Sequence, residues 1–210
     1  MSRDTRTRIL VASLLLFNEH GEPNTTTNEI ADEVDISPGN LHYHFRKKAD
    51  LVTALLAEFQ ADAKRVLAPP GDEPGLLDDF WVFLHLLLEL KAAYSFLFRD
   101  TESLVADYPK VANAMRHFAR GLAAAFELQL HALATSGVVR LEADEMPLVG
   151  RNLAVIALFS ERFDAFVDAS QSSEDAALRT AAAVLNVLKP HAQQSDREHL
   201  DRLAARYKSD

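Results

Sequence analysis

The chain has 210 residues, 48% of them hydrophobic and 25% charged, which gives it the apolar mass for a sizeable core and marks a globular protein rather than a disordered one. It contains no cysteine, so disulfides, thiolate metal sites and a cysteine redox switch are excluded, and a reducing compartment suits it. A net charge of −9 disfavours contact with any polyanion unless the basic residues are clustered.

The opening MSRDTRTR leads into an amphipathic stretch without the pattern of a signal peptide. A first helix is predicted over residues 3–20, with Ile9, Leu10, Ser13, Leu16 and Phe17 on its buried side. Thr26 and Glu29 then stand in S/T-x-x-E spacing, the capping box of a helix start, and Ile30, Ala31 and Val34 supply its apolar stripe. Asp35 falls in a turn. Ser37-Pro38 restarts the chain as hydroxyl N-cap and first-position proline, opening a helix over 38–46 anchored by Leu41 and Phe45. A longer helix over 48–67 repeats Leu51, Leu55 and Phe59 and stops at Pro69-Pro70-Gly71.

An apolar helix follows over 76–98, kinked near 92–94, and then a short one over 101–105, closed by Asp107-Tyr108-Pro109. The run from Phe80 to Leu88 is broken by His85 and too short to cross a bilayer, so a soluble, cytoplasmic protein is expected. The helix predicted over 110–135 has the stripe Val111, Met115, Phe118, Leu122 and Phe126, and Ser136-Gly137 ends it. The next, over 143–167, spaces Leu148, Val155, Phe159, Phe163 and Phe166; the one after, over 174–188, spaces Leu178, Ala181, Leu185 and Leu188 before Pro190. The charged tail over 195–207 reads either as a last helix or as a frayed end. With no run of alternating apolar and polar residues, the fold class is all-α.

Residues 25–45 are thus a helix, a tight turn and a second helix, in the spacing of a helix-turn-helix. The second helix carries Gly39, Asn40, His42, Tyr43 and His44 between its two anchors, the short or hydrogen-bonding side chains of a helix that lies in a major groove. The segments TRTRILVASLLLFNEHG, TTTNEIADEVDIS and SPGNLHYHFRKKADLVTAL together closely resemble the DNA-binding domain of the TetR-like (TetR/AcrR) one-component regulators. There are two departures: Asp35 stands where glycine is usual, and His42 where tyrosine is usual. The resemblance implies a helix-turn-helix domain over 1–50 and a larger helical effector-binding and dimerisation domain over 51–210.

Asn40, His42 and Tyr43 are candidates for base edges or nearby phosphates, asparagine because it pairs bidentately with adenine. The resemblance adds Thr26, Thr27, Tyr43, His44 and Lys48 as phosphate contacts, with Asn28 a further candidate; a helix N-terminus beside Lys48 would assist anion binding. The competing reading packs Tyr43 and His44 against the first helix. Residues 1–50 hold six Lys/Arg and eight Asp/Glu, a net of −2, yet the basic ones cluster as Arg3, Arg6, Arg8 and Arg46, Lys47, Lys48. Such modest patches imply salt-sensitive binding that rests on dimer avidity.

Nine of the twelve phenylalanines and the only tryptophan lie between Phe80 and Phe166. Core filling accounts for many of them. The resemblance turns Phe80, Trp81, Phe83, His85, Tyr94, Phe98, Phe118, Phe126, Phe159 and Phe163 into candidates for a pocket that takes a hydrophobic or aromatic effector. Glu89, Arg99, His117 and Arg120 are further polar groups that could orient such a ligand. His85 and Glu89, one turn apart, could supply two metal ligands, but no second pair completes a site, so neither metal nor cofactor is expected. No G-x-S-x-G, phosphate loop or H-E-x-x-H occurs, and no enzyme is expected.

The helices over 143–167 and 174–188, the second with Ala176, Ala177, Ala181, Ala182 and Ala183, are the expected dimer surface. The combined expectation is a homodimeric DNA-binding regulator, a repressor released from a palindromic operator by a small hydrophobic ligand, with no membrane partner. The alternative is a dimeric regulator controlled by a protein or peptide partner, without a small-molecule pocket.

Overall fold

Eleven α-helices and one 3-10 turn make up the regular structure of the computed structural model, which describes residues 2–71, 75–167 and 173–205. They are α1 (Ser2–His20), α2 (Thr27–Glu33), α3 (Pro38–His44), α4 (Lys48–Val66), α5 (Leu77–Ala93), α6 (Ser95–Arg99), α7 (Thr101–Asp107), α8 (Pro109–Thr135), α9 (Met146–Val167), α10 (Ser173–Leu188), the 3-10 turn Lys189–His191 and α11 (Gln194–Ala205). Among the described residues there is no strand, only an isolated antiparallel bridge between Val139 and Ala192. The all-α reading of the sequence therefore holds. Tyr207, expected at the end of the last helix, lies outside the described residues, as does the side chain of Arg3.

Two compact units divide the chain: residues 1–63 with 90–117, and residues 64–89 with 118–210. In the first, α1 buries Ile9, Leu10, Ala12, Ser13 and Phe17, with Leu16 half-buried. The helix ends because Gly21 adopts φ +92, a left-handed conformation that costs glycine no Cβ clash, and its N–H closes back on Phe17 O at 3.0 Å. Arg99 completes the cap from α6, donating to Asn18 O (2.7 Å) and Phe17 O (2.8 Å), so a cation meets the negative end of the α1 dipole. Asn18 reciprocates across the break between α5 and α6: it donates to Ala93 O (2.9 Å) and accepts from Phe96 N (3.1 Å). The kink expected near 92–94 is that break, centred on Tyr94. Leu51, Leu55 and Phe59 of α4 are fully buried, as their spacing requires.

In the second unit, Phe118, Leu122 and Phe126 carry the buried stripe of α8. The inner face of α9 is Met146, Gly150, Leu153, Ala154 and Ala157, mostly small residues. A Cβ at Gly150 would stand 3.0 Å from Glu127 N and 3.2 Å from Ala123 O, so α8 and α9 approach backbone to backbone there. Residues Leu148, Val155, Phe159, Phe163 and Phe166, the stripe read from sequence, occupy the outward face and are exposed, Phe166 at 90%. Ala181, Leu185 and Leu188 of α10 are buried, and Ser160 and Thr180 hydroxyls join α9 to α10 at 2.6 Å.

Candidate nucleic-acid interface

The local chemistry of residues 25–45 follows from four backbone requirements, each met by a side chain the sequence supplies. At the start of α2, Thr26 Oγ1 accepts from Glu29 N (3.2 Å), while Glu29 Oε2 accepts from Thr26 N (2.7 Å) and Thr26 Oγ1 (2.9 Å). The capping box is thus closed in both directions, and these two bonds hold the Glu29 carboxyl below its usual pKa. At the end of α2, Ile36 N donates to Ala31 O (3.0 Å) and Asp35 N to Asp32 O (3.1 Å). That pair of bonds is a Schellman motif, which demands a left-handed residue where the sequence offers aspartate: Asp35 has φ +55. Arg8 of α1 takes the carbonyl of the C-cap residue, donating from Nη2 to Val34 O at 2.7 Å.

Ser37 then caps α3, its Oγ accepting from Asn40 N at 3.2 Å, with Pro38 at the first position. Leu41 and Phe45 are the buried anchors, at 0% and 3% exposure. Arg6 lies over the Phe45 ring, 4.8 Å from its centroid. The helix is two residues shorter than read from sequence, because Phe45 is already extended. Everything else on α3 faces outward. Asn40 and His42 are exposed, Tyr43 is 80% exposed, and half-buried His44 meets the Tyr43 ring edge-on at 5.2 Å. Tyr43 is therefore not packed against α1. His42 Nδ1 lies 3.2 Å from Arg46 O, a bond it can make when that nitrogen carries the proton. Thr26 and Asn28 are exposed and Thr27 half-buried at the start of α2. Six of the eight residues expected at DNA thus lie on α2 and α3, and a seventh, Thr26, is the N-cap of α2.

Lys48 is the exception. Its ammonium donates to Glu22 O (2.7 Å) and Thr25 O (3.0 Å) and pairs with Glu22 Oε1 at 3.1 Å. Glu22 is 2% exposed, and its Oε1 also accepts from Tyr108 OH at 2.7 Å. Burial and the adjacent carboxylate raise the Tyr108 phenol well above its usual pKa. Sequence reading missed Glu22; it sits in an unremarkable Gly-Glu-Pro turn, and its partners lie 26 and 86 residues away.

Of the ten residues expected around an effector, eight belong to the second unit and two, Tyr94 and Phe98, to the first. Phe80, Phe83 and Phe126 form one buried group in the second unit, with centroids 5.2–6.3 Å apart, and Phe118 is buried there too. Half-buried Trp81 stacks on His85 at 5.0 Å in that unit. Tyr94 and Phe98 belong to the first unit, each packed on Phe59, and Tyr94 OH donates to Asp62 Oδ2 at 2.7 Å. Phe159 and Phe163, 51% and 68% exposed, lie on the outward face of α9. Among the described residues no group of His, Asp and Glu could hold a metal ion, and no helix is long and apolar enough to cross a membrane.

Comparison with known proteins extends over both parts. The family model described as bacterial regulatory proteins, tetR family, matches residues 9–55, and the TetR model of a bacterial transcriptional repressor matches residues 58–200. A TetR-family transcriptional regulator from Marinobacter aquaeolei, solved as a crystal structure, is 30% identical, with a TM-score of 0.87 over 97% of this chain and 98% of that one. The HTH-type transcriptional regulator UidR of Escherichia coli is 37% identical over 67 residues, 32% of this chain and 33% of UidR. The chain spans about a third of the length of the curated relatives it matches. The SmeT–triclosan complex, 20% identical with a TM-score of 0.65 over 92% of this chain and 94% of that one, shares the fold; SmeT represses an efflux pump in Stenotrophomonas maltophilia.

Proposed function

We propose, from the premise that the chain belongs to the TetR family of bacterial transcriptional regulators, that it is a cytoplasmic homodimeric repressor which leaves a palindromic operator when a small hydrophobic or aromatic ligand binds. Residues 1–50 read the DNA; residues 51–210 dimerise and hold the ligand. The observation that carries the DNA half is α3 itself, a capped helix fixed by Leu41 and Phe45 whose Asn40, His42 and Tyr43 have no role in the core. Those three meet base edges or nearby phosphates, while Thr26, Thr27, Asn28 and His44 fix the register on the backbone. Two copies are required for useful affinity, since paired recognition helices read half-sites about 34–36 Å apart.

The outward face of α9, with Leu148, Val155, Phe159, Phe163 and Phe166, is the surface through which two copies associate, with α10 beside it. Burying such aromatics between subunits removes an apolar stripe from water that a lone chain leaves exposed. The effector enters the aromatic interior of the second unit around Phe80, Phe83, Phe118 and Phe126, with Trp81 and His85 as its polar-capable neighbours. It needs only a few kcal/mol of preference for the DNA-free state to act as an inducer.

The test is fluorescence anisotropy against DNA from upstream of the chain's own gene, with a scrambled competitor and increasing salt. Specific, salt-sensitive binding by a dimer is the expected result; binding no tighter than to scrambled DNA removes the regulator reading for that site. A thermal-shift screen of apolar compounds follows, and a stabilising compound must weaken the operator complex.

A further inference from the structure

An ammonium group has three N–H donors and no acceptor, and in Lys48 all three are engaged: Glu22 O at 2.7 Å, Thr25 O at 3.0 Å and Glu22 Oε1 at 3.1 Å. The Glu22 side chain is 3% exposed, so the lysine charge is neutralised internally by a carboxylate that, among the described residues, pairs with no other cation. A phosphate that drew Lys48 away would leave that carboxylate buried and unpaired, with two turn carbonyls unfilled. The same Oε1 accepts from Tyr108, which ties the first residue of α4 to the chain just ahead of α8.

The other cations near α3 divide in two. Arg8 holds Val34 O and Arg6 lies on Phe45, so both are anchored to the fold. Arg46 and Lys47 follow Phe45, the C-cap of α3, are exposed, and among the described residues have no side-chain partner.

We infer that Lys48 is a positioning residue, which fixes the start of α4 against the 22–25 turn and Tyr108, and that Arg46 and Lys47 supply the phosphate-neutralising charge of the interface. The inference rests on the DNA-binding reading for its second half only. Two such cations per protomer engage about four phosphates per dimer, a contribution of about 3.6 to the slope of log affinity against log salt.

Anisotropy titrations of the full-length protein between about 50 and 200 mM salt separate the roles. The probe is a labelled duplex from upstream of its own gene, beside a scrambled one. Arg46→Ala with Lys47→Ala should flatten the slope by about 3–4. Lys48→Gln should weaken binding at one salt yet leave the slope at the wild-type value, and Glu22→Gln with Lys48→Gln should regain much of the lost affinity. A phosphate-contacting Lys48 would instead lower the slope by about 2 per dimer and gain nothing from Glu22→Gln. A second cycle needs no DNA. The melting temperatures of the two single variants and the double must be non-additive; additive losses would overturn the tie. If the wild type binds neither duplex, the charge assignment falls with the DNA-binding reading, while the melting cycle still decides the role of Lys48.

Discussion

Helices α3 and α9 each bury one face and expose the other, and their exposed faces are chemically opposite. On α3 the core side is two residues, Leu41 and Phe45, and the open side is Asn40, His42 and Tyr43. On α9 the core side is small, Gly150, Ala154 and Ala157 among it, and the open side is Val155, Phe159, Phe163 and Phe166. An open face of hydrogen-bonding groups suits a hydrated, charged partner whose edges carry donors and acceptors. An open face of aromatics gains only when another apolar surface displaces its water. The difference shows that exposure alone says little about a helix; what is left exposed names the chemistry of the partner.

The largest effect expected from breaking this contrast comes from charging the α9 face. Phe159→Asp with Phe163→Asp alters two aromatics in each protomer, four across a two-fold interface at about 1 kcal/mol each, so the dimer should weaken by roughly a thousandfold in sedimentation equilibrium. Because both side chains are exposed, the helical content of the monomer should be unchanged. An undiminished dimer would place the interface elsewhere. On α3, Tyr43→Ala should cost about 1–2 kcal/mol of operator affinity with no change in melting temperature, the signature of a side chain that contributes only to the complex. A fall in stability instead would mean that Tyr43 is a packing residue after all.

Smaller still is the turn between α2 and α3. Asp35→Gly relieves a left-handed aspartate, a strain of about 1–2 kcal/mol, against the greater chain entropy of glycine, for a net gain of about 0.5–1 kcal/mol in urea unfolding. Asp35→Val should lose stability at the same site. The smallest effect is at Glu29, whose carboxyl is held below its ordinary value near 4.5 by its bonds to Thr26. A depressed carboxylate contributes fully above that ordinary value, and the contribution fades as pH falls below it through the folded-state pKa. Melting profiles from about pH 6 to about pH 3 should therefore be slightly steeper in the wild type than in Glu29→Gln.

Local rules made the interface legible in the sequence. Thr26 with Glu29, Ser37 with Pro38, and the two anchors of α3 act over three or four residues, so the sequence pattern and the structure agree. Asp35 was legible as a turn residue standing where the resembled family has glycine, and the structure gives it the left-handed φ. Facing and distance were not legible in the same way. The periodicity of α9 was legible as helical, but a period cannot say which side is in; the structure puts Gly150, Ala154 and Ala157 inside and the bulky stripe outside. The aromatic constellation was split between two units, since shared hydrophobicity carries no address. Glu22 was invisible because all its meaning comes from Lys48 and Tyr108.

The cap that Arg99 places on α1 has a consequence for how this chain can vary. The two carbonyls it holds belong to Phe17 and Asn18, and Asn18 in turn holds the break at Ala93 and Phe96. Helix α1 is thereby measured against a fixed stop, like a rod cut to fit between shoulders. Exposed positions such as Val11 and Leu15 can change identity without disturbing that fit. Inserting or deleting a single residue ahead of Phe17 cannot, because it shifts the stop by about 1.5 Å and turns it by about 100°. Length, rather than surface sequence, is the property of α1 that must be inherited unchanged.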